Sequence, residues 1–243
     1  MQEHQEVRRM KFSSDAHPTR RQTMRLAFGA FLGGAISGGI FGGGALLSSG
    51  SMAMAQGRPL TLVALGDSLT AGYGLPANAA FPAVLEQALR ARGHNVTIVN
   101  AGVSGDTMSG GLERLDWSVG EGVDGVILEL GANDGLRGID PAVTERALDA
   151  ILSRLKARGI PVLLSGMKAP PNYGADFAAR FEAIYPRAAA KYGLMLDPFF
   201  LEGIAGDRSL NLPDGIHPTP EGVRRIVARI LPKVEHFIAS LKR

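Results

Sequence analysis

The 243-residue chain contains no cysteine. That absence excludes a disulfide framework, cysteine-ligated zinc, a thiol nucleophile and a lipidated cysteine. Aromatic residues are scarce at 6%, with one tryptophan, Trp117, so they read as core or surface anchors rather than stacking platforms. A basic stripe is missing as well. The formal charge is +3, but residues 1–55 hold six of the 26 Lys and Arg and three of the 23 acids, so 56–243 is formally neutral. No run of cations remains there to track phosphates, which argues against a nucleic-acid partner. No histidine pair has metal-ligand spacing and no acidic cluster suits a divalent cation, so no metal and no cofactor are expected. Gly72-Tyr73-Gly74 lacks the later glycine of a dinucleotide fingerprint. With 45% hydrophobic and 20% charged residues the chain has material for a real core, and its 32 glycines follow no G-X-Y period.

The amino-terminal arm is organised differently from the rest. Residues 1–25 are polar and basic, and 26–57 carry no charge. The apolar run from Leu26 to Leu47 leads to Ala53-Met54-Ala55, a small-x-small pattern. Basic segment, apolar segment and small-residue site in that order read as a signal peptide over residues 1–55. Arg20-Arg21 suggests the twin-arginine type and hence export machinery as a partner, although Thr23 sits where such signals carry an apolar residue. The alternative is an uncleaved membrane anchor. Nine glycines between 26 and 50 make that stretch a poor helix and a weak span.

Residues 56–243 show no repeat and no linker and read as one domain. Apolar runs predict strands at Leu60–Leu65, Val96–Val99, Val126–Leu130, Pro161–Leu164 and Leu194–Leu196. Segments of helical period lie between them at Phe81–Arg92, Pro141–Arg158, Ala175–Tyr192 and Thr219–Leu241, with Pro186 and Pro232 as expected kinks. Such alternation implies an α/β fold with a mostly parallel five-stranded sheet and helices on both faces. Functional side chains of such sheets lie beyond the carboxyl ends of the strands.

The polar corners are found there. The first strand runs into Gly66-Asp67-Ser68-Leu69-Thr70, the second into Asn100–Thr107 with Ser104-Gly105-Asp106, and the third into Gly131-Ala132-Asn133-Asp134. Asp214-Gly215-Ile216-His217-Pro218 stands near the carboxyl terminus. Ser68 alone reads as an N-cap or as a nucleophile, and a nucleophilic serine needs a base. His4 and His17 lie in the arm, His94 in an expected surface turn, and His236 among charges on the last helix. Only His217 has a carboxylate three residues before it, so Asp214 can orient its ring; the competing reading is a helix-entry loop. A tetrahedral intermediate needs preorganised donors, for which the Ser68 N–H, the Gly105 N–H and the Asn133 amide are candidates. Each alone is also an ordinary turn residue. Asp67, Asp106 and Asp134 read as structural, bonding backbone N–H groups at helix starts.

These four blocks, in this order, resemble those of the SGNH (GDSL) hydrolase superfamily over about residues 60–243. Asn133–Gly138 (NDGLRG) and Ala169–Gly174 (APPNYG) are similar to its bacterial thioesterase I, lysophospholipase and arylesterase group. The resemblance implies a three-layer α/β/α fold of flavodoxin-like type. It implies Ser68 as nucleophile, Gly105 and Asn133 as oxyanion donors beside the Ser68 N–H, Asp214 as orienting acid, and His217 as base and then acid. The α/β-hydrolase alternative is disfavoured, because Thr70 stands where Gly-x-Ser-x-Gly needs its second glycine.

Segments Gly135–Ile139 and Met167–Asp176 are expected to wall the pocket, and Leu136, Met167, Pro170, Tyr173 and Ile216 to contact substrate. Arg137 and Lys168 read either as solvated or as meeting an anionic head group. The expected function is a secreted serine esterase acting on aryl esters, short or medium acyl esters, thioesters or lysophospholipids. Two alternatives are a carbohydrate acetylesterase and a non-catalytic extracytoplasmic binding protein.

Overall fold

The structure is a computed structural model that describes residues 58–241. The expected signal peptide over 1–55 lies outside the described residues.

The first strand, β1 (Leu60–Gly66), is buried along nearly its whole length, as a strand covered on both faces must be. The short helix α1 (Ser68–Ala71) follows at once, and then α2 (Phe81–Ala91), which buries Phe81, Leu85 and Leu89 on one face. Gly93 ends α2 at φ +87°, and the His94 N–H returns to the Leu89 carbonyl at 3.1 Å. That 6→1 bond closes a helix where a left-handed residue is required, which favours glycine. The chain continues through β2 (Val96–Gly102), α3 (Met108–Glu113), α4 (Leu115–Ser118) and β3 (Gly125–Glu129). It then forms α5 (Ala132–Leu136), α6 (Pro141–Ala157), β4 (Val162–Ser165), α7 (Ala175–Glu182), α8 (Ile184–Tyr192), β5 (Met195–Asp197) and α9 (Pro220–Ser240).

All neighbouring strands are parallel, in the order β2-β1-β3-β4-β5. This is the flavodoxin-like order. The β1-to-β2 and β3-to-β4 connections run toward opposite edges of the sheet. Right-handed crossovers therefore put their helices on opposite faces. Accordingly α2 packs with α9, and α6 packs with α3 and α8. The register brings Gly66, Gly102, Glu129, Ser165 and Asp197 into one row across the carboxyl edge of the sheet. Among the described residues no helix is long and apolar enough to cross a membrane.

Several elements differ from the sequence reading. The helix expected over Ala175–Tyr192 is two helices that meet at Ala183, and Pro186 lies in the first turn of α8. Pro186 has no N–H to give to the Glu182 carbonyl, so the ladder restarts upstream of it rather than bending at it. Pro232, by contrast, sits inside an unbroken α9. Pro232 and Ala228 are both exposed, so the carbonyl left without a partner faces water. The second strand runs three residues beyond Val99, because Gly66 and Gly102 pair. A Cβ at Gly102 would lie 2.2 Å from the Ala71 nitrogen, so α1 packs against bare backbone there.

Candidate active site

Strand β1 delivers Gly66-Asp67-Ser68 to the carboxyl edge. A Cβ on Gly66 would fall 2.0 Å from Thr70 Oγ1 and 2.6 Å from the Glu129 carbonyl, so only glycine allows this tight strand-to-helix turn. Asp67 caps α1, its Oδ1 accepting the Leu69 N–H at 3.0 Å. Ser68 thus stands at the first position of α1 and is 8% exposed.

His217 approaches from the far end of the chain. Its loop is held by the Leu212 N–H on the His217 carbonyl at 2.7 Å and by an antiparallel bridge between Asn211 and Pro218. The buried Asn211 amide donates to the Ile204 and Asp207 carbonyls at 2.7 and 2.8 Å. Asp214 Oδ1 accepts the Ile216 and His217 N–H groups at 2.9 and 3.0 Å, leaving Oδ2 for the ring. Oδ2 lies 2.7 Å from His217 Nδ1, and His217 Nε2 lies 2.9 Å from Ser68 Oγ. The bond from the His217 backbone N–H, helped by those of Ile216 and the ring, holds the Asp214 carboxyl down at about 2. An ionised Asp214 can keep a proton on Nδ1, freeing Nε2 to take one from Ser68.

The three expected oxyanion donors reach the same edge. The N–H of Ser68 heads α1. Gly105 sits in an exposed turn at φ +84°, closed by the Asp106 N–H on the Val103 carbonyl at 3.1 Å. Asn133 is the second residue of α5, behind Gly131, whose φ of +115° and contact with the Tyr185 hydroxyl exclude a side chain. The Tyr185 hydroxyl donates to the Leu130 carbonyl at 2.9 Å and fixes that turn from below. Asn133 Nδ2 donates to the Asp106 carbonyl at 2.8 Å and lies 3.3 Å from Asp67 Oδ2. The amide plane is thereby set between the exits of β1 and β2.

Asp67 and Asp134 both bond backbone N–H groups at helix starts. The Met108 N–H at the head of α3 and the Thr144 hydroxyl meet Asp134 at 2.9 and 2.8 Å. Asp106 differs: its carboxylate pairs with Arg114 Nε at 2.5 Å. Arg114 also donates to the Gly66 and Ala101 carbonyls at 2.8 and 2.9 Å, tying the ends of β1 and β2 to α3. Sequence reasoning missed Arg114, since a lone arginine in a polar stretch signals nothing. It also missed Tyr73, whose ring lies 4.4 Å from that of His217.

Missed as well was Glu129, which pairs with Asp67 beneath the serine. Glu129 is buried, with Oε2 accepting the Thr70 hydroxyl at 2.6 Å and, among the described residues, no hydrogen-bond partner for Oε1. Burial, and then the neighbouring Asp67 charge, push its carboxyl well above the usual range. Burial likewise lifts Asp67 to about 7, against the pull of the Leu69 N–H.

Of the expected substrate contacts, Leu136, Tyr173 and Ile216 are exposed and Pro170 is half-buried. Tyr173 donates its hydroxyl to the Leu136 carbonyl at 2.9 Å, joining two of these segments. Met167 departs from expectation. It is 3% exposed and belongs to the hydrophobic core, because only Gly166 separates it from the buried end of β4. The Lys168 ammonium sits 4.9 Å from the centre of the Phe199 ring, and Arg137 bonds the Gly105 carbonyl at 2.9 Å. Among the described residues no group of three or more His, Cys, Asp or Glu could hold a metal ion. A separate cavity of about 480 Å3 opens at the opposite end of the sheet, beside Val162 and Met195, away from Ser68.

Residues 64–225 match the GDSL-like lipase/acylhydrolase family. The chain is 38% identical over 199 residues to esterase TesA of Pseudomonas aeruginosa, covering 80% of this chain and 99% of that protein. It is 42% identical over 159 residues to the thioesterase 1/protease 1/lysophospholipase L1 of Escherichia coli K12, covering 65% and 75% of the two chains. The crystal structure of AlinE4, an SGNH-hydrolase family esterase, superposes with a TM-score of 0.63 at 46% identity, covering 74% of this chain and 97% of that one. The chain therefore belongs to the GDSL-like lipase/acylhydrolase family, and it is a GDSL-type esterase.

Proposed function

We propose that this esterase is exported and hydrolyses carboxylic esters through an acyl-enzyme on Ser68. The observation that carries the reading is the unbroken line from Asp214 Oδ2 through the His217 ring to Ser68 Oγ, at 2.7 and 2.9 Å. His217 Nε2 takes the Ser68 proton as Oγ adds to the ester carbonyl carbon. The resulting oxyanion meets the Ser68 and Gly105 N–H groups and the Asn133 amide. The intermediate collapses, and His217 gives its proton to the leaving alkoxide. Water, deprotonated by His217, then adds to the acyl-enzyme carbonyl, and as that intermediate collapses to the acid His217 returns the proton to Ser68 Oγ. Asp214 stays ionised throughout and stabilises the imidazolium.

Leu136, Pro170, Tyr173 and Ile216 offer apolar and aromatic surface to the acyl or aryl part of the substrate. This favours aryl esters, short or medium acyl esters, thioesters and lysophospholipids. The names of the relatives, an esterase and a thioesterase/lysophospholipase, point to the same substrate range. Export rests on the sequence of residues 1–55, with its basic, apolar and small-residue segments in order.

The test is hydrolysis of p-nitrophenyl esters from acetate to palmitate by the wild-type chain and by Ser68→Ala. The wild type turns over, with a chain-length optimum that sizes the pocket, and Ser68→Ala is folded and inactive. Equal rates in the two proteins would remove Ser68 as nucleophile.

A further inference from the structure

Two of the proposed oxyanion donors, Gly105 and Asn133, come from different loops, and nothing in either loop alone sets their spacing. Gly105 lies in an exposed turn after β2, and its N–H has no acceptor among the described residues. Asn133 lies on α5 after β3. The Asn133 amide bonds the neighbouring Asp106 carbonyl directly at 2.8 Å, and Arg137 adds a second tie, to Gly105 itself. The Arg137 backbone N–H donates to the Asn133 carbonyl at 3.1 Å as α5 ends. Its guanidinium Nη2 donates to the Gly105 carbonyl at 2.9 Å. A Cβ built on Gly105 would meet that Nη2 at 3.7 Å, so the guanidinium lies against this peptide.

Arg137 is itself held from the next loop. The Tyr173 hydroxyl bonds the carbonyl of Leu136, the residue before it, at 2.9 Å. The Tyr173 ring packs so closely on Gly138, the residue after it, that a Cβ there would lie 2.6 Å from a ring carbon. The loops after β2, β3 and β4 thus meet at the Leu136–Gly138 segment.

We infer that Arg137 is a positioning residue, which holds the Gly105 carbonyl, fixes the turn that carries the Gly105 N–H relative to the Asn133 amide and so preorganises the oxyanion site. The inference rests on the acyl-enzyme reading above. A donor that drifts costs transition-state stabilisation but little ground-state binding, because the oxyanion exists only after attack.

The experiment compares Arg137→Met, Arg137→Lys and Tyr173→Phe with the wild type on the p-nitrophenyl ester giving the highest rate. Methionine keeps a long apolar stem and removes the donors, whereas lysine keeps a charge and its ammonium donors without the planar fork. Arg137→Met is expected to lower kcat by about 10- to 100-fold with KM within about twofold of wild type. Arg137→Lys should recover most of that loss, and Tyr173→Phe should show a smaller fall of the same kind. Arg137→Met with wild-type kcat would overturn the inference and leave the acyl-enzyme reading intact. A rise in KM alone would also overturn it, since that marks a substrate contact. An equal fall in Tm and kcat for Arg137→Met and Arg137→Lys would assign a purely structural role and overturn it too. A wild type that neither cleaves any ester of the series nor is labelled at Ser68 by an alkyl phosphonate would remove both readings.

Discussion

Asn133 shows how one side chain is placed by groups from three parts of the chain. Its amide is gripped by the Asp106 carbonyl and faced by the Asp67 carboxyl, while its own carbonyl receives Arg137. The hydrogen that faces Asp67 across 3.3 Å is the one that can turn to an oxyanion, and a donor held this close to its place needs little reorganisation when charge develops on the substrate. Asn133→Ala is therefore expected to lower kcat by about 10²- to 10³-fold with little change in KM, measured by steady-state ester hydrolysis. Wild-type kcat in that variant would exclude Asn133 from the oxyanion site. At this scale much was legible beforehand. Ser68, Gly105 and Asn133 were read at strand exits, and Asp214 with His217 in the loop before the last helix, and the fold brings Ser68 and His217 within 2.9 Å. Met167 was not legible. An apolar residue just past a strand reads equally as pocket wall or core, and only packing decides; here it is core. Tyr73 stayed hidden for the opposite reason, since nothing local says that its ring will meet a histidine from the other end of the chain.

At the scale of elements, the ends of β1 and β2 and the start of α3 are joined through Arg114. Its side chain bonds Asp106, the Gly66 and Ala101 carbonyls and the Ser118 hydroxyl within 2.9 Å. Arg114→Met leaves the half-buried Asp106 carboxylate without its partner and two strand-end carbonyls short of a donor. A loss of about 2–4 kcal/mol is expected, measured by urea unfolding, because breaking a buried pair strands the remaining charge. The same variant should lower kcat, since Asp106 also holds Asn133 through its carbonyl. Unchanged stability would mean that Asp106 is adequately served by water. Strand and helix periodicity located the main elements but misjudged their ends. Asn100, on the edge strand, interrupts the apolar run, so β2 looked shorter than it is. The break at Ala183 arises from Pro186 three residues later, a cause that periodicity does not register.

For the molecule as a whole, stability should answer to pH through two carboxyls that pull in opposite senses. Asp214 is held down at about 2 in the fold, below its unfolded value of about 4. Its contribution is present above that unfolded value and is lost as the pH falls through it toward 2. Asp67 is lifted to about 7 by burial, so the fold prefers it protonated. Its contribution is present below about pH 4 and is lost as the pH rises through 7. Asp67→Asn removes that titration while keeping an oxygen for the Leu69 N–H. Relative to wild type, the variant should gain stability steadily between pH 4.5 and 8, read from urea midpoints at several pH values. A constant difference across that range would mean that Asp67 ionises at an ordinary pH in the fold.

The amino-acid sequence by itself determined the alternation of strands and helices, the parallel sheet, and the residue types at each strand exit. It could do so because periodicity, glycine at tight turns and the choice of a nucleophile, a base and an acid are local properties. It also carried Asp214 and His217 as a pair, since three residues of separation leave the two side chains within reach. Tertiary structure decided what depends on neighbours distant in the chain. It brought His217 to Ser68 across 149 residues of separation. It buried Glu129 and Asp67 together under the serine, and it used Arg114 and Arg137 to join loops. Contacts of that kind arise where the carboxyl ends of β1, β2 and β3 line up in one row, and no single segment contains that row.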